Sequence, residues 1–288
     1  MNDKLKNLLV RTVSGAVLAA VMIGAILWST FGLIALAFVV MIGAILEFYS
    51  LCRQGGYSPR VILGTVLATT MFAIAAITVA THSDVITGAI IAQLATICFA
   101  MLLLVVPTIL VSEIFTQSKR PIANIATTFA GVVYAACPMS LLIVIAMILG
   151  GPVAEWQPWR VIAFITIVWI NDVFAYLVGI TMGKHRLCER ISPKKSIEGF
   201  VGGVLAATLG AALYGHLFGD NIFVWAGLGA IVAVTGVAGD LVESMFKRSV
   251  GVKDSGSIIP GHGGILDRFD ALLIATPFAF VYIVYFFG

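Results

Sequence analysis

The sequence predicts an all-α, polytopic integral membrane protein with about nine transmembrane helices and a cytoplasmic N-terminus. Three observations predict it. First, of 288 residues 60% are hydrophobic and 11% charged, with a mean hydropathy of +1.08. A soluble domain carries roughly 25% charged residues. Second, the apolar residues fall into nine runs, near 12–28, 30–49, 60–80, 84–111, 122–149, 160–182, 199–218, 222–246 and 268–287. Each has about the length a bilayer crossing needs, or somewhat more if tilted. Third, sixteen of the seventeen Lys and Arg residues fall before the first run or in alternate loops, leaving only Arg160 opposite. The positive-inside rule then places the N-terminus in the cytoplasm and the C-terminus outside.

The elements follow in order. The first run comes after Lys4, Lys6 and Arg11 and leads directly into a second span, so it reads as an uncleaved anchor. Arg53 and Arg60 follow the second run, and Lys119 and Arg120 separate the two longest, which contain Pro107 and Pro138. A proline there predicts a kink or an end. Residues 1–150 form five spans almost without intramembrane charge, and 151–288 a C-terminal region of four spans with two cytoplasmic loops, where the candidate catalytic residues are found. In the seventh run Gly199, Gly203, Ala207, Ala211 and Gly215 recur every four residues. That smooth stripe lets another helix approach closely, within the fold or in a homodimer. Cys52, Cys98, Cys137 and Cys188 are scattered and form no CxxC, so no zinc site is expected.

Nearly all the chemistry-bearing side chains lie after residue 160. Asp172 sits mid-span, where a carboxylate costs about 2.5–3.5 kcal/mol, so it should face a polar cavity or a partner, with Asn171 and Tyr176 as supports. The sixth loop carries a turn at Ser192-Pro193, adjacent cations at Lys194 and Lys195, and Ser196 with Glu198 opening the next helix. Hydroxyls and free N–H groups at a helix start, joined by lysines, suit a polyphosphate. Asp240, Glu243 and Lys247 share one helix face as the eighth span ends, while Asp267 and Asp270 lie in the first turn of the last helix. Acidic groups on two helix ends flanking one loop would repel unless a cation joined them. Glycines at 261, 263 and 264 around His262 allow close approach to phosphate oxygens, and His262 can donate or act as an acid.

The long stretch Ser244–Asp270, SMFKRSVGVKDSGSIIPGHGGILDRFD, resembles the signature of the phosphatidate cytidylyltransferases (CDP-diacylglycerol synthases). The segments SPKKSIEGFVGG at 192–203 and DVFAYLVG at 172–179 are similar to other parts of that family, with Ser196 and Ile197 standing where it often has Thr and Trp. The likeness covers roughly residues 160–288; the earlier spans match only in being hydrophobic. It implies that CTP and phosphatidate give CDP-diacylglycerol and pyrophosphate in phospholipid biosynthesis, at the cytoplasmic face of a bacterial-type inner membrane. It also implies Mg²⁺ at Asp240 and Asp267, with Glu243 and Asp270 as further ligands and a second cation alongside.

Taken with the residue-level reading, Asp240, Asp267, Lys247, Arg248, His262 and Arg268 form the expected catalytic set. Asp172, Ser192, Lys194, Lys195, Ser196, Glu198, Lys253, Asp254, Gly263 and Gly264 are the expected substrate contacts. The lipid bilayer is a partner and nucleic acid is not. Two other classes stay open on the residues alone: an ion-coupled transporter using Asp172 and Asp240, and a membrane polyprenol kinase releasing a nucleoside diphosphate.

Overall fold

A computed structural model describes residues 3–81, 88–152, 155–259 and 263–287. Among these, nine long helices follow one another: α1 (Asp3–Trp28), α2 (Thr30–Gln54), α3 (Val61–Thr81), α4 (Gly88–Ile114), α5 (Pro121–Gly150), α6 (Pro158–Met182), α7 (Ile197–Phe218), α8 (Ile222–Ser249) and α9 (Leu266–Phe286). Eight are long and apolar enough to cross a membrane; α1 contributes the shorter apolar stretch Thr12–Trp28. The fold is thus an all-α polytopic membrane protein, as the sequence predicts.

Local chemistry explains the breaks. Ser29 separates α1 from α2 and accepts a hydrogen bond from Gly32 N at 3.1 Å, capping α2. Neither internal proline ends its helix. α4 continues through Pro107, and α5 passes Pro138 by widening into a π-turn over Val132–Ala136, where Cys137 N donates to Val132 O. Pro138 has no N–H to offer the carbonyl of Tyr134, so the helix accommodates it with one wider turn.

The loop between α6 and α7 departs from expectation. It closes as an antiparallel hairpin of β1 (Arg186–Cys188) and β2 (Ser192–Ser196), pairing Arg186 with Ser196 and Cys188 with Ser192. The turn lies at 189–191, so Ser192-Pro193 opens the second strand and does not make the turn. At the start of a short edge strand, proline's missing donor is tolerated.

Helices α6, α7, α8 and α9 pack against one another in chain order. The small-residue stripe of α7 is its buried face: Gly199 and Gly203 meet Ala175 and Asn171 of α6, while Ala207, Ala211 and Gly215 meet Gly229 and Trp225 of α8. Packing inside the chain accounts for the stripe. On the other side of α7, Leu205, Leu209, Leu213 and Leu217 are exposed, the face expected to meet lipid. At the far end of this bundle Arg160 forms a two-pronged pair with Asp220, at 3.0 and 2.8 Å. Trp225 Nε1 donates to the same carboxylate at 3.0 Å.

Candidate active site

The site gathers where the hairpin, the C-terminal end of α8, the following loop and the start of α9 converge. Helices α8 and α9 touch backbone to backbone at Gly239, where a Cβ would lie 3.0 Å from Ala271 Cα. Only glycine permits that approach, and it sets Asp240 beside Asp270. Asp240 Oδ2 lies 2.6 Å from Lys195 Nζ, and its Oδ1 accepts from Ser244 Oγ at 3.3 Å. Adjacent residues on a strand point to opposite faces. Lys195 therefore turns inward to Asp240 while Lys194 is exposed.

One turn further along α8, Lys247 is almost sealed in. Its Nζ bridges Glu243 Oε2 at 2.5 Å and Asp267 Oδ1 at 2.6 Å. The other oxygen of Asp267 accepts from Ser255 N at 2.9 Å and Gly264 N at 2.8 Å. Ser255 Oγ lies 2.9 Å from Asp267 Oδ2 and 3.0 Å from Glu47 Oε2 and, with one proton, donates to one of them at a time. The spacing of acids and cation at the end of α8 was legible in the sequence. The connection to Glu47 was not.

Ser255 was not singled out by sequence reasoning, and Glu47 was missed outright. Glu47 belongs to α2, in the half read as nearly free of intramembrane charge, and is 6% exposed. A signal existed: one carboxylate in a 25-residue apolar helix costs too much to be left without partners.

Asp172 lies on α6 at the wall of a cavity of about 500 Å³. The cavity is bounded by α1 (Gly15, Leu18, Ala19, Met22), α6 (Ile165, Val168, Trp169, Val173) and α9 (Phe269, Ala271, Leu272), with Arg268 as its cation. This space is mostly apolar with one charged end, not the polar cavity expected. Asn171 Nδ2 donates to Asp172 Oδ1 at 3.4 Å, whereas Tyr176, read as a second support, is exposed. Asp172, Asp240 and Asp270 lie close enough to act on one another electrostatically, opposed by Lys195 and Arg268.

Other predicted residues take more local tasks. Arg248 Nη1 donates to Val252 O at 2.9 Å, holding the loop after α8. Ser196 caps α7 through Gly199 N at 3.1 Å. Glu198 accepts from Lys184 N at 3.0 Å and contacts His185 Nδ1 at 2.6 Å, so it ties the hairpin base to α7. Ser192 stands beside the hairpin turn, and Lys253 and Asp254 are exposed. Gly263 holds a left-handed φ of 82° and accepts from Ile259 N at 2.9 Å. Asp270 Oδ1 accepts from Ala271 N at 2.8 Å. His262 lies outside the described residues. The four cysteines are free thiols.

The carboxylates of Asp240, Glu243, Asp267 and Asp270 are hard oxygen donors of the kind Mg²⁺ takes. Ammonium groups now balance three of them, at Lys195 and Lys247. Among the described residues no three acidic, His or Cys side chains converge as a ready-made ligand set. The donors fit in kind, and a metal would complete its shell with substrate oxygens.

The model of a cytidylyltransferase family matches residues 9–286, nearly the whole chain. The chain belongs to this family. Its curated relatives include proteins named phosphatidate cytidylyltransferase from Staphylococcus aureus (strain COL), 52% identical over 113 residues, and Staphylococcus haemolyticus (strain JCSC1435), 48% identical over 113 residues. A third, of the same name, from Staphylococcus epidermidis (strain ATCC 12228 / FDA PCI 1200), is 51% identical over 114 residues. Each match covers 38% of this chain and 44% of the relative, so the chain spans under half the length of the curated relatives it matches.

Proposed function

We propose that this chain transfers the cytidylyl group of CTP to phosphatidate, releasing pyrophosphate and forming CDP-diacylglycerol. One observation carries the reading most directly. An apolar cavity between α1, α6 and α9 ends at Asp172 and Arg268, next to the Lys195–Asp240 pair. Acyl chains suit the apolar walls, and a phosphate headgroup suits the charged end. The names of the staphylococcal relatives and the family match support the same reaction.

In that reaction a phosphate oxygen of phosphatidate attacks the α-phosphorus of CTP, and the bond from that phosphorus to the bridging oxygen of pyrophosphate breaks. The nucleophile is already an anion, so no strong base is required. The protein's task is to align two mutually repelling anions and to offset charge growing on the leaving group. Arg268 at the cavity mouth would hold the lipid phosphate. Lys195, Lys194 and Lys253 would meet the nucleotide phosphates, with Lys195 moving from Asp240 to them. Lys247 would fix Asp267 and Glu243. Mg²⁺, held by Asp240 and Asp267 with Glu243 and Asp270 as further donors, would supply charge neutralisation at the pyrophosphate oxygens. Lys195, Lys247 and Arg268 share one end of the bundle, and the positive-inside rule supports placing it at the cytoplasm.

The test uses the purified full-length chain in detergent micelles with phosphatidate, labelled CTP and Mg²⁺. Labelled CDP-diacylglycerol and stoichiometric pyrophosphate are expected. Folded protein that converts no nucleotide, or that releases a nucleoside diphosphate, overturns the reading.

A further inference from the structure

α9 carries Asp267 and Arg268 on its first turn, with Asp270 at the start of the second and not in the first as the sequence suggested, and no side chain at its N-cap caps it. The residue at its N-cap is Ile265, which offers no side-chain acceptor. The first N–H groups of a helix have no partner within it and need one from elsewhere. Glu47, 218 residues before Ile265, supplies it: Oε1 accepts from Ile265 N at 3.0 Å and Oε2 from Leu266 N at 2.8 Å. Oε2 also lies 3.0 Å from Ser255 Oγ, which touches Asp267. The chain of contacts therefore runs Glu47–Ser255–Asp267–Lys247–Glu243, from α2 through the loop to α8.

Two glycines of the loop are shaped to this carboxylate. A Cβ on Gly256 would stand 2.6 Å from Glu47 Oε1, and one on Gly264 would collide with Oε2 and with Ser255. Close backbone approach at these positions serves a protein carboxylate. At 6% exposure Glu47 has little water to fall back on, so these protein donors are what makes its burial tolerable.

We infer that Glu47 is a positioning residue: it caps α9 from α2 and, through Ser255, sets where Asp267 stands against Lys247. This rests on the proposed reaction, in which Asp267 and Arg268 act. Glu47 hydrogen-bonds to Ser255, Ile265 and Leu266, none of which lines the cavity or belongs to the Lys195–Asp240 pair, so its loss should change the geometry of turnover more than substrate capture.

The experiment compares wild type, Glu47→Gln, Ser255→Ala and the double variant, each purified whole in micelles. kcat and KM are measured for CTP and phosphatidate, and amide hydrogen exchange is followed at Ile265 and Leu266. Glu47→Gln should lower kcat about tenfold or more, on the scale of one charge-assisted hydrogen bond, and leave both KM values within about twofold. Exchange at the two amides should rise. The double variant should be little worse than Glu47→Gln, because both residues act through one chain of contacts. If Glu47→Gln does not fold, Glu47→Asp keeps the charge one methylene short and should show the same split. An unchanged kcat, unchanged exchange at Ile265 and Leu266, or fully additive losses overturns the inference. Wild type that makes no CDP-diacylglycerol overturns the proposed reaction instead, and the exchange arm still judges the hold of Glu47 on α9.

Discussion

Lys195 and Lys247 each hold an aspartate at 2.6 Å, yet their surroundings differ sharply. The side chains of Lys247, Glu243 and Asp267 are 11%, 1% and 5% exposed, and Asp267 is further bound by Ser255 and Gly264. Those of Lys195 and Asp240 are 25% and 41% exposed, and among the described residues the pair has one further hydrogen bond, from Ser244 to Asp240. A buried ammonium flanked by two carboxylates is a fixed part of the frame, since losing it strands charge out of water. An accessible pair gains little from its contact and can exchange partners when an anion arrives. The same chemistry thus serves as a rivet in one place and as an exchangeable contact in the other.

Substitutions can break that contrast. Lys247→Ala should have the largest effect, leaving Glu243 and Asp267 without their cation at a cost of about 3–5 kcal/mol. Folded yield and melting temperature should both fall; a chain as stable as wild type would refute the rivet. Next, Asp240→Asn should leave melting unchanged and cut kcat on the order of 100-fold or more, as removal of one charge-stabilising group does elsewhere. If its melting temperature dropped as far as that of Lys247→Ala, the two centres would not differ in kind. Lys195→Ala should raise KM for CTP roughly tenfold, with the loss shrinking as salt screens the accessible charge. A salt-independent defect would argue against an exchangeable contact. Smallest of all, Ser244→Ala removes a long 3.3 Å hydrogen bond to Asp240 and should change kcat/KM by about twofold at most.

What the sequence made legible follows from the range of each signal. Apolar runs of twenty or so residues are local, and all nine helices stood in them. The i, i+3, i+7 spacing of Asp240, Glu243 and Lys247 is local too, and the structure brings that acid and base together as read. The hairpin escaped because β2 is five residues long, SPKKS, and too polar to show a strand's alternation. Pro138 suggested a break because its lost hydrogen bond is visible in sequence, whereas the π-turn that absorbs it is not. Glu47 escaped for the opposite reason: its partners are 208 to 219 residues away, and no spacing rule reaches so far.

That separation has a consequence for how the protein is made. At roughly 5–20 residues per second, ribosomes need on the order of 10–40 s to pass from Glu47 to Leu266. During that interval α2 is already synthesised while the donors of Ile265 and Leu266 do not yet exist. A nascent or truncated chain therefore carries an uncompensated acid in its second helix, a mark of incompleteness that only the arrival of the last helix erases.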